Sequence, residues 1–230
     1  MEDKVTFTWQ GLLDGARMIL PLAFGAFTYG VVFGVLARQA GLSPVEALLM
    51  SSLVFAGASQ FVALGLWTLP LPVVALIVTT LIVNLRHVLM GAALRPWFGR
   101  LSAPHAYGSM FFMTDENWAM TTRQFASGSR DAALLLGSGL TLFVAWVSAT
   151  LVGEVAGAVV PDPTAIGLDF VFTAVFLSLL IGLWRGRSDL LPWLAAAVVA
   201  LAAAYWLPGK WYILLGGLVG GLVGAWRHAR

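Results

Sequence analysis

Residues 73–94 read VVALIVTTLIVNLRHVLMGAAL. A helix crosses a bilayer with about 20 mainly apolar residues, so this stretch is a membrane span by length and composition. It also carries Asn84, Arg86 and His87 past its midpoint. The rest of the chain agrees with the first half of that reading. Of 230 residues, 60% are hydrophobic and 10% charged, and the mean hydropathy is +0.88. Soluble domains carry about 25% charged residues. That excludes an ordinary soluble enzyme, a disordered chain and a nucleic-acid binder, and it predicts an integral membrane protein.

Further apolar stretches cover 18–37, 47–69, 133–153, 169–184, 190–207 and 211–226, with turn-forming residues between them. β-Barrel strands would instead alternate over short segments. The expected fold is all-α, with about seven transmembrane helices in one domain over 1–230. Residues 105–125 are the exception, since Asp115, Glu116 and Asn117 interrupt an otherwise apolar run. They form either an eighth span or a re-entrant segment.

Basic residues discriminate between the two. With seven spans, nine arginines fall inside (Arg38, Arg95, Arg100, Arg123, Arg130, Arg185, Arg187, Arg227 and Arg230) against three basic residues outside (Lys4, Arg17 and Lys210). Eight spans give eight against four, so the positive-inside rule prefers seven. Both schemes put an acidic 154–169 loop outside and the C-terminus in the cytoplasm. The polar first 17 residues lack a cleavage pattern, so the first span is expected to stay in the membrane. Cysteine is absent, which removes disulfides and thiol chemistry.

A shift of 117 aligns Pro44 with Pro161, Val54-Phe55 with Val171-Phe172, and Gly65-Leu66-Trp67 with Gly182-Leu183-Trp184, six identities in 24 positions. Residues 17–94 and 134–210 are therefore candidate internal repeats. Three spans per copy make the copies inverted, the arrangement of many secondary transporters, and four make them parallel. The inverted form is the expectation here, with a broken second helix.

Polar groups at bilayer depth locate the chemistry. An arginine at a helix centre costs roughly 2.5–3.5 kcal/mol on insertion scales, so Arg86 needs a partner, a wet cavity or an interface to reach. A lining role is preferred over snorkelling. His87 can carry protons near neutral pH or serve as a hydrogen-bonded structural residue. In the second span, Phe55-Ala56-Gly57-Ala58-Ser59-Gln60-Phe61 is either a small-residue packing seam or an unwound stretch whose amides bind a carboxylate. Asp115 and Glu116 can bind an ammonium, pair with Arg86 or take up a proton. Small-residue faces on the first span (Ala26, Gly30, Gly34) and the last (Gly216, Gly220, Gly224) suit close helix packing or a second subunit.

These three motifs, in this order, resemble the AzlC family, the large subunit of bacterial branched-chain amino acid exporters, most closely over residues 15–120. The resemblance implies efflux of valine, leucine, isoleucine and similar amino acids across the inner membrane. It also implies a small AzlD-type membrane partner. A zwitterionic aliphatic substrate needs donors for its carboxylate, acceptors for its ammonium and an apolar pocket. Gly57, Ser59, Gln60, Asn84 and Arg86 are the expected carboxylate side, and Asp115 and Glu116 the ammonium side. Phe55 and Phe61 would enclose the side chain. His87, Asp115 and Glu116 are the proton-coupling candidates; no cofactor or metal is called for. An intramembrane serine protease built on Ser59 and His87 is disfavoured because Gln60 follows the nucleophile. A structural membrane subunit, or a transporter of another small solute, is the remaining alternative.

Overall fold

In the computed structural model, the residues described are 5–159, 186–207 and 211–228, with Phe170, Ala174, Leu177, Ile181 and Trp184 between them. Among these, the helices are α1 (Trp9–Gln39), α2 (Pro44–Val54), α3 (Gly57–Gly65), α4 (Val73–Phe98), α5 (Ala103–Phe111), α6 (Asp115–Ala126), α7 (Ala133–Ala158), α8 (Leu190–Trp206) and α9 (Trp211–His228). Among the described residues, four helical segments are long and apolar enough to cross a membrane: Trp9–Gln39, Val73–Phe98, Ala133–Ala158 and Arg187–Trp206. The 47–69 and 105–125 stretches each form two short helices instead of one long one. The 169–184 stretch lies largely outside the described residues. The chain divides into two compact units, Met1–Leu71 with Thr80–Pro163, and Pro72–Thr79 with Thr164–Arg230.

The first unit is organised around α1 and α7. Thr8 caps α1 by accepting from the Gly11 N–H at 3.0 Å. Its own hydroxyl donates to the Asp131 carboxylate, and Asp131 in turn accepts from the Ala133 N–H at 3.0 Å in the first turn of α7. Thr6 pairs its backbone with Arg130 and Ala132, both at 2.9 Å, as a parallel bridge. The two helices therefore start at the same end and run in the same direction.

Glycines keep them in backbone contact along their whole length. A Cβ on Gly15 would collide with the Leu134 carbonyl, and one on Gly34 with the Thr150 carbonyl. From the other side, Gly137 abuts Leu12 and Gly153 abuts Val31. The Gly30–Gly34 face of the first span is thus used inside the unit. These two helices lead the candidate repeats 17–94 and 134–210. Inverted three-span copies would set them antiparallel; the structure has them parallel, because their N-terminal caps are bonded to one another.

Both short-helix pairs are interrupted in the middle. The first begins with a capping box: Ser43 N–H donates to Glu46 at 2.7 Å and Glu46 N–H to the Ser43 hydroxyl at 3.3 Å. After Val54 the chain turns through Phe55, at φ 34° and ψ 49°, and Ala56, at φ −143° and ψ 86°, then restarts at Gly57. A non-glycine residue in the left-handed region costs roughly 1–3 kcal/mol and persists only where surrounding contacts impose it. The second pair breaks over Phe112–Thr114. There Asn117, fully buried, accepts from the Thr114 N–H at 2.7 Å and donates to the Phe112 carbonyl at 2.8 Å.

In the second unit, α8 and α9 pack antiparallel. Gly216 and Gly220 press on Ala200 and Ala196, at 2.9 and 2.8 Å from an ideal Cβ. The last span's expected small-residue face is occupied by its neighbour in the hairpin.

Candidate functional site

The two breaks meet. The Phe55 and Phe112 rings are 6.4 Å apart, and both pack on Phe143 of α7, at 5.1 and 5.2 Å. At 1.5 Å per residue, Phe55 lies about 17 Å along its helix pair, Phe112 about 14 Å along its own and Phe143 about 15 Å along α7. Both breaks therefore fall beside the middle of α7, a helix long and apolar enough to cross a membrane.

α4 lies beside both breaks. Residues two apart on a helix leave it about 200° apart, so Asn84 and Arg86 point to opposite flanks. Asn84 donates to the Ser59 hydroxyl at 3.3 Å, and Ser59 donates to the Ala56 carbonyl at 2.9 Å. This ties α4 to the first turn of α3. On the other flank Arg86 Nη1 lies 2.6 Å from Asp115 Oδ2, the first residue of α6. Neither of these two is sealed off, with side chains 33% and 46% exposed. One turn further, the Trp118 indole donates to the Met90 carbonyl at 3.1 Å and holds α6 to α4.

The polar groups at this junction are not all satisfied. Gln60 is 1% exposed, yet neither its Oε1 nor its Nε2 has a hydrogen-bond partner. Asn84 Oδ1 and Arg86 Nε are buried and unpaired as well. Buried polar side chains nearly always find partners, and an orphan costs about 1–3 kcal/mol. Gly57, Ala58 and Ser59 open α3, where amide N–H groups lack helical acceptors. A Cβ on Gly57 would press on the Trp146 ring at 3.0 Å. Trp146 is itself packed with Phe33 and Phe61 at 5.8 and 6.3 Å.

Two expected site residues stand apart. His87 Nδ1 contacts the Asn84 carbonyl of its own helix at 3.2 Å. Glu116 is exposed. Two other features escape the sequence reading. Trp146 sits mid-span, and its buried indole N–H is unpaired. Glu154, expected at the start of an outside loop, lies inside α7, which continues to Ala158. Helical register offers the only signal: Trp146, Thr150 and Glu154 are spaced by four.

Comparison with known proteins covers the same region. The model of the AzlC protein family matches residues 21–160, which hold every residue of this junction. An uncharacterized membrane protein of Archaeoglobus fulgidus is 34% identical over 73% of this chain and 73% of its own. Inner membrane protein YgaZ of Escherichia coli is 27% identical over 93% of this chain and 89% of its own. The branched-chain amino acid transport protein AzlC of Bacillus subtilis is 25% identical, over 92% and 83%. No solved structure matches.

Proposed function

The chain belongs to the AzlC family, and from that premise we propose that it exports branched-chain amino acids across the inner membrane. Valine, leucine and isoleucine are the proposed substrates and the proton gradient the driving force, with the C-terminus in the cytoplasm and a small AzlD-type subunit as partner. The observation that carries this reading is the meeting of two helix breaks beside an Arg86–Asp115 ion pair at 2.6 Å.

An ion pair of that kind suits a zwitterion. When it opens, Arg86 takes the substrate carboxylate as a charge-assisted pair, and Asp115 takes the ammonium. Total charge in the site is unchanged by binding, so no unpaired ion is left at bilayer depth. The free amides at the start of α3 and the Gln60 carboxamide supply further donors to the carboxylate. Asn84 and Ser59 fix the angle of that helix start. Phe55, Phe112 and Phe143 form an apolar wall that suits a branched aliphatic side chain. Broken helices at mid-depth are where secondary transporters place their sites. Glu116 and His87 are proposed as outlying groups of the proton path, since neither touches the Arg86–Asp115 pair.

The test is efflux from cells loaded with a valine- or leucine-containing dipeptide, with the chain expressed alone and with its partner. Release should rise above that of cells lacking the chain. Arg86→Ala and Asp115→Asn should each slow it at least tenfold, because a hydrogen bond to a charged group contributes about 1.5–3 kcal/mol. Inserted protein that releases no amino acid with or without the partner would overturn the reading.

A further inference from the structure

Glu154 is the one charged residue of α7, and its side chain is 1% exposed. Neither carboxylate oxygen has a hydrogen-bond partner. The α1 backbone passes directly over this turn of α7: a Cβ on Gly34 would lie 2.8 Å from the Glu154 nitrogen. From α1 it is faced by Arg38, whose Nη1 is 3.8 Å from Oε2, too long for a hydrogen bond, and whose side chain is 41% exposed. α2 contributes Ser51, bonded to Thr150 at 2.8 Å. The carboxylate on α2, Glu46, is exposed and engaged by Ser43. Among the described residues, no other titratable group of α1, α2 or α7 is placed against it.

A buried carboxylate with no donor is costly as an anion. Protonation removes that cost. Ionisation becomes tolerable when the half-exposed Arg38 guanidinium closes the remaining gap. The site therefore has two self-consistent states, one with a proton and one with a closed ion pair. It lies at the end of a stripe. Trp146, Thr150 and Glu154 follow one another at helical spacing of four on one face of α7. At the inner end of that stripe Trp146 touches Gly57, in the first turn of α3; in the middle Thr150 and Ser51 form a buried hydroxyl pair.

We propose that Glu154 is a proton-binding site at the α1–α7 seam, exchanging its proton against the Arg38 ion pair, and that the Trp146–Thr150–Glu154 face links it to the broken second helix. The proton is the ligand; it adds to a carboxylate oxygen and leaves to water at the helix ends. The coupling part of this inference rests on the proposed transport function, and the proton-binding part does not.

Two measurements separate the parts. In purified protein, infrared difference spectra on acidification should contain a carboxylic-acid carbonyl band that Glu154→Gln lacks. In Arg38→Gln the same band should appear at higher pH, since the carboxylate has lost its cation. Identical spectra for wild type and Glu154→Gln overturn the proposal whatever the substrate is. In proteoliposomes, Glu154→Gln should lose accumulation of labelled valine driven by a pH gradient while keeping valine–valine exchange at equal pH. Retained driven accumulation overturns the coupling, and so does loss of exchange in protein that stays monodisperse in detergent. A wild type that moves no valine but shows the Glu154 band keeps the proton site and discards the substrate.

Discussion

Gln60 shows how a single side chain separates stability from function. Its carboxamide is buried with both polar atoms unpaired, a state that folding alone does not favour. Replacing it with leucine, of similar volume and without polar atoms, removes an orphan worth about 1–3 kcal/mol. Gln60→Leu should therefore unfold at the same or a higher temperature than wild type while transporting more slowly. A variant that is both less stable and fully active would show that the carboxamide serves packing. Arg86→Lys is the matching probe on the other flank of α4. A lysine keeps the charge but loses the planar fork, so transport should fall with expression unchanged. Arg86 was legible in the sequence because an arginine inside an apolar run demands an explanation. Its partner Asp115 was one of several options there, since spacing along a chain says nothing about which helix faces which. Glu154 left only its register with Trp146 and Thr150 as a trace: four residues before a helix end, an acid reads as loop.

At the scale of the element, two kinds of sequence signal have different fates. Local signals carry through. Ser43-Pro44 with Glu46 reads as a helix start and is one, a capping box. Ser43→Ala should lower stability by about 1 kcal/mol, as lost N-caps do, measured by thermal unfolding in detergent. The Glu46 carboxyl, which precedes the 47–69 apolar stretch, is held below its usual value first by the Ser43 hydroxyl and then by the Ser43 N–H. Its contribution is therefore present above the ordinary glutamate range and fades as pH falls through the lowered value. The difference between wild type and Ser43→Ala should shrink in acid.

Non-local signals were only half visible. Gly30 and Gly34 announce close packing but not its partner. That partner is α7, with Gly153 as the reciprocal contact. Gly34→Val should push the helices apart and cost about 1–3 kcal/mol by overpacking. Gly25→Ala on the same helix, with nothing within 4 Å of its Cβ, should be neutral or stabilising by up to about 1 kcal/mol, since helical alanine is favoured over glycine. Equal unfolding temperatures for the two variants would show that α1 and α7 do not touch in this register.

At the scale of the whole molecule, composition established a helical membrane protein, whereas arginine counting alone does not fix the path of the chain. The positive-inside rule treats each cation as free to orient its loop. Arg38 is instead turned toward a buried carboxylate, so it reports on packing as well as orientation. The parallel α1 and α7 supply a stronger constraint. If both cross the bilayer in the same direction, the chain between them must cross an odd number of times. α4 crosses once, so the broken pairs α2–α3 and α5–α6 either both cross or both turn back.

We expect both to cross, because each pair with its break covers residues 44–65 or 103–126, a helical rise of about 33–36 Å. The candidate repeats would then be four-span copies. A chain without cysteine makes the check direct. Ser102→Cys and Ser127→Cys, both at exposed loop positions, should react with an impermeant thiol reagent from opposite faces of the membrane, Ser127→Cys from the N-terminal side. Labelling of both from the N-terminal side would mean that each broken pair is re-entrant. Labelling of both from the opposite side would require α1 and α7 to cross in opposite directions, and the Thr6–Asp131 junction joining their N-terminal ends could not form.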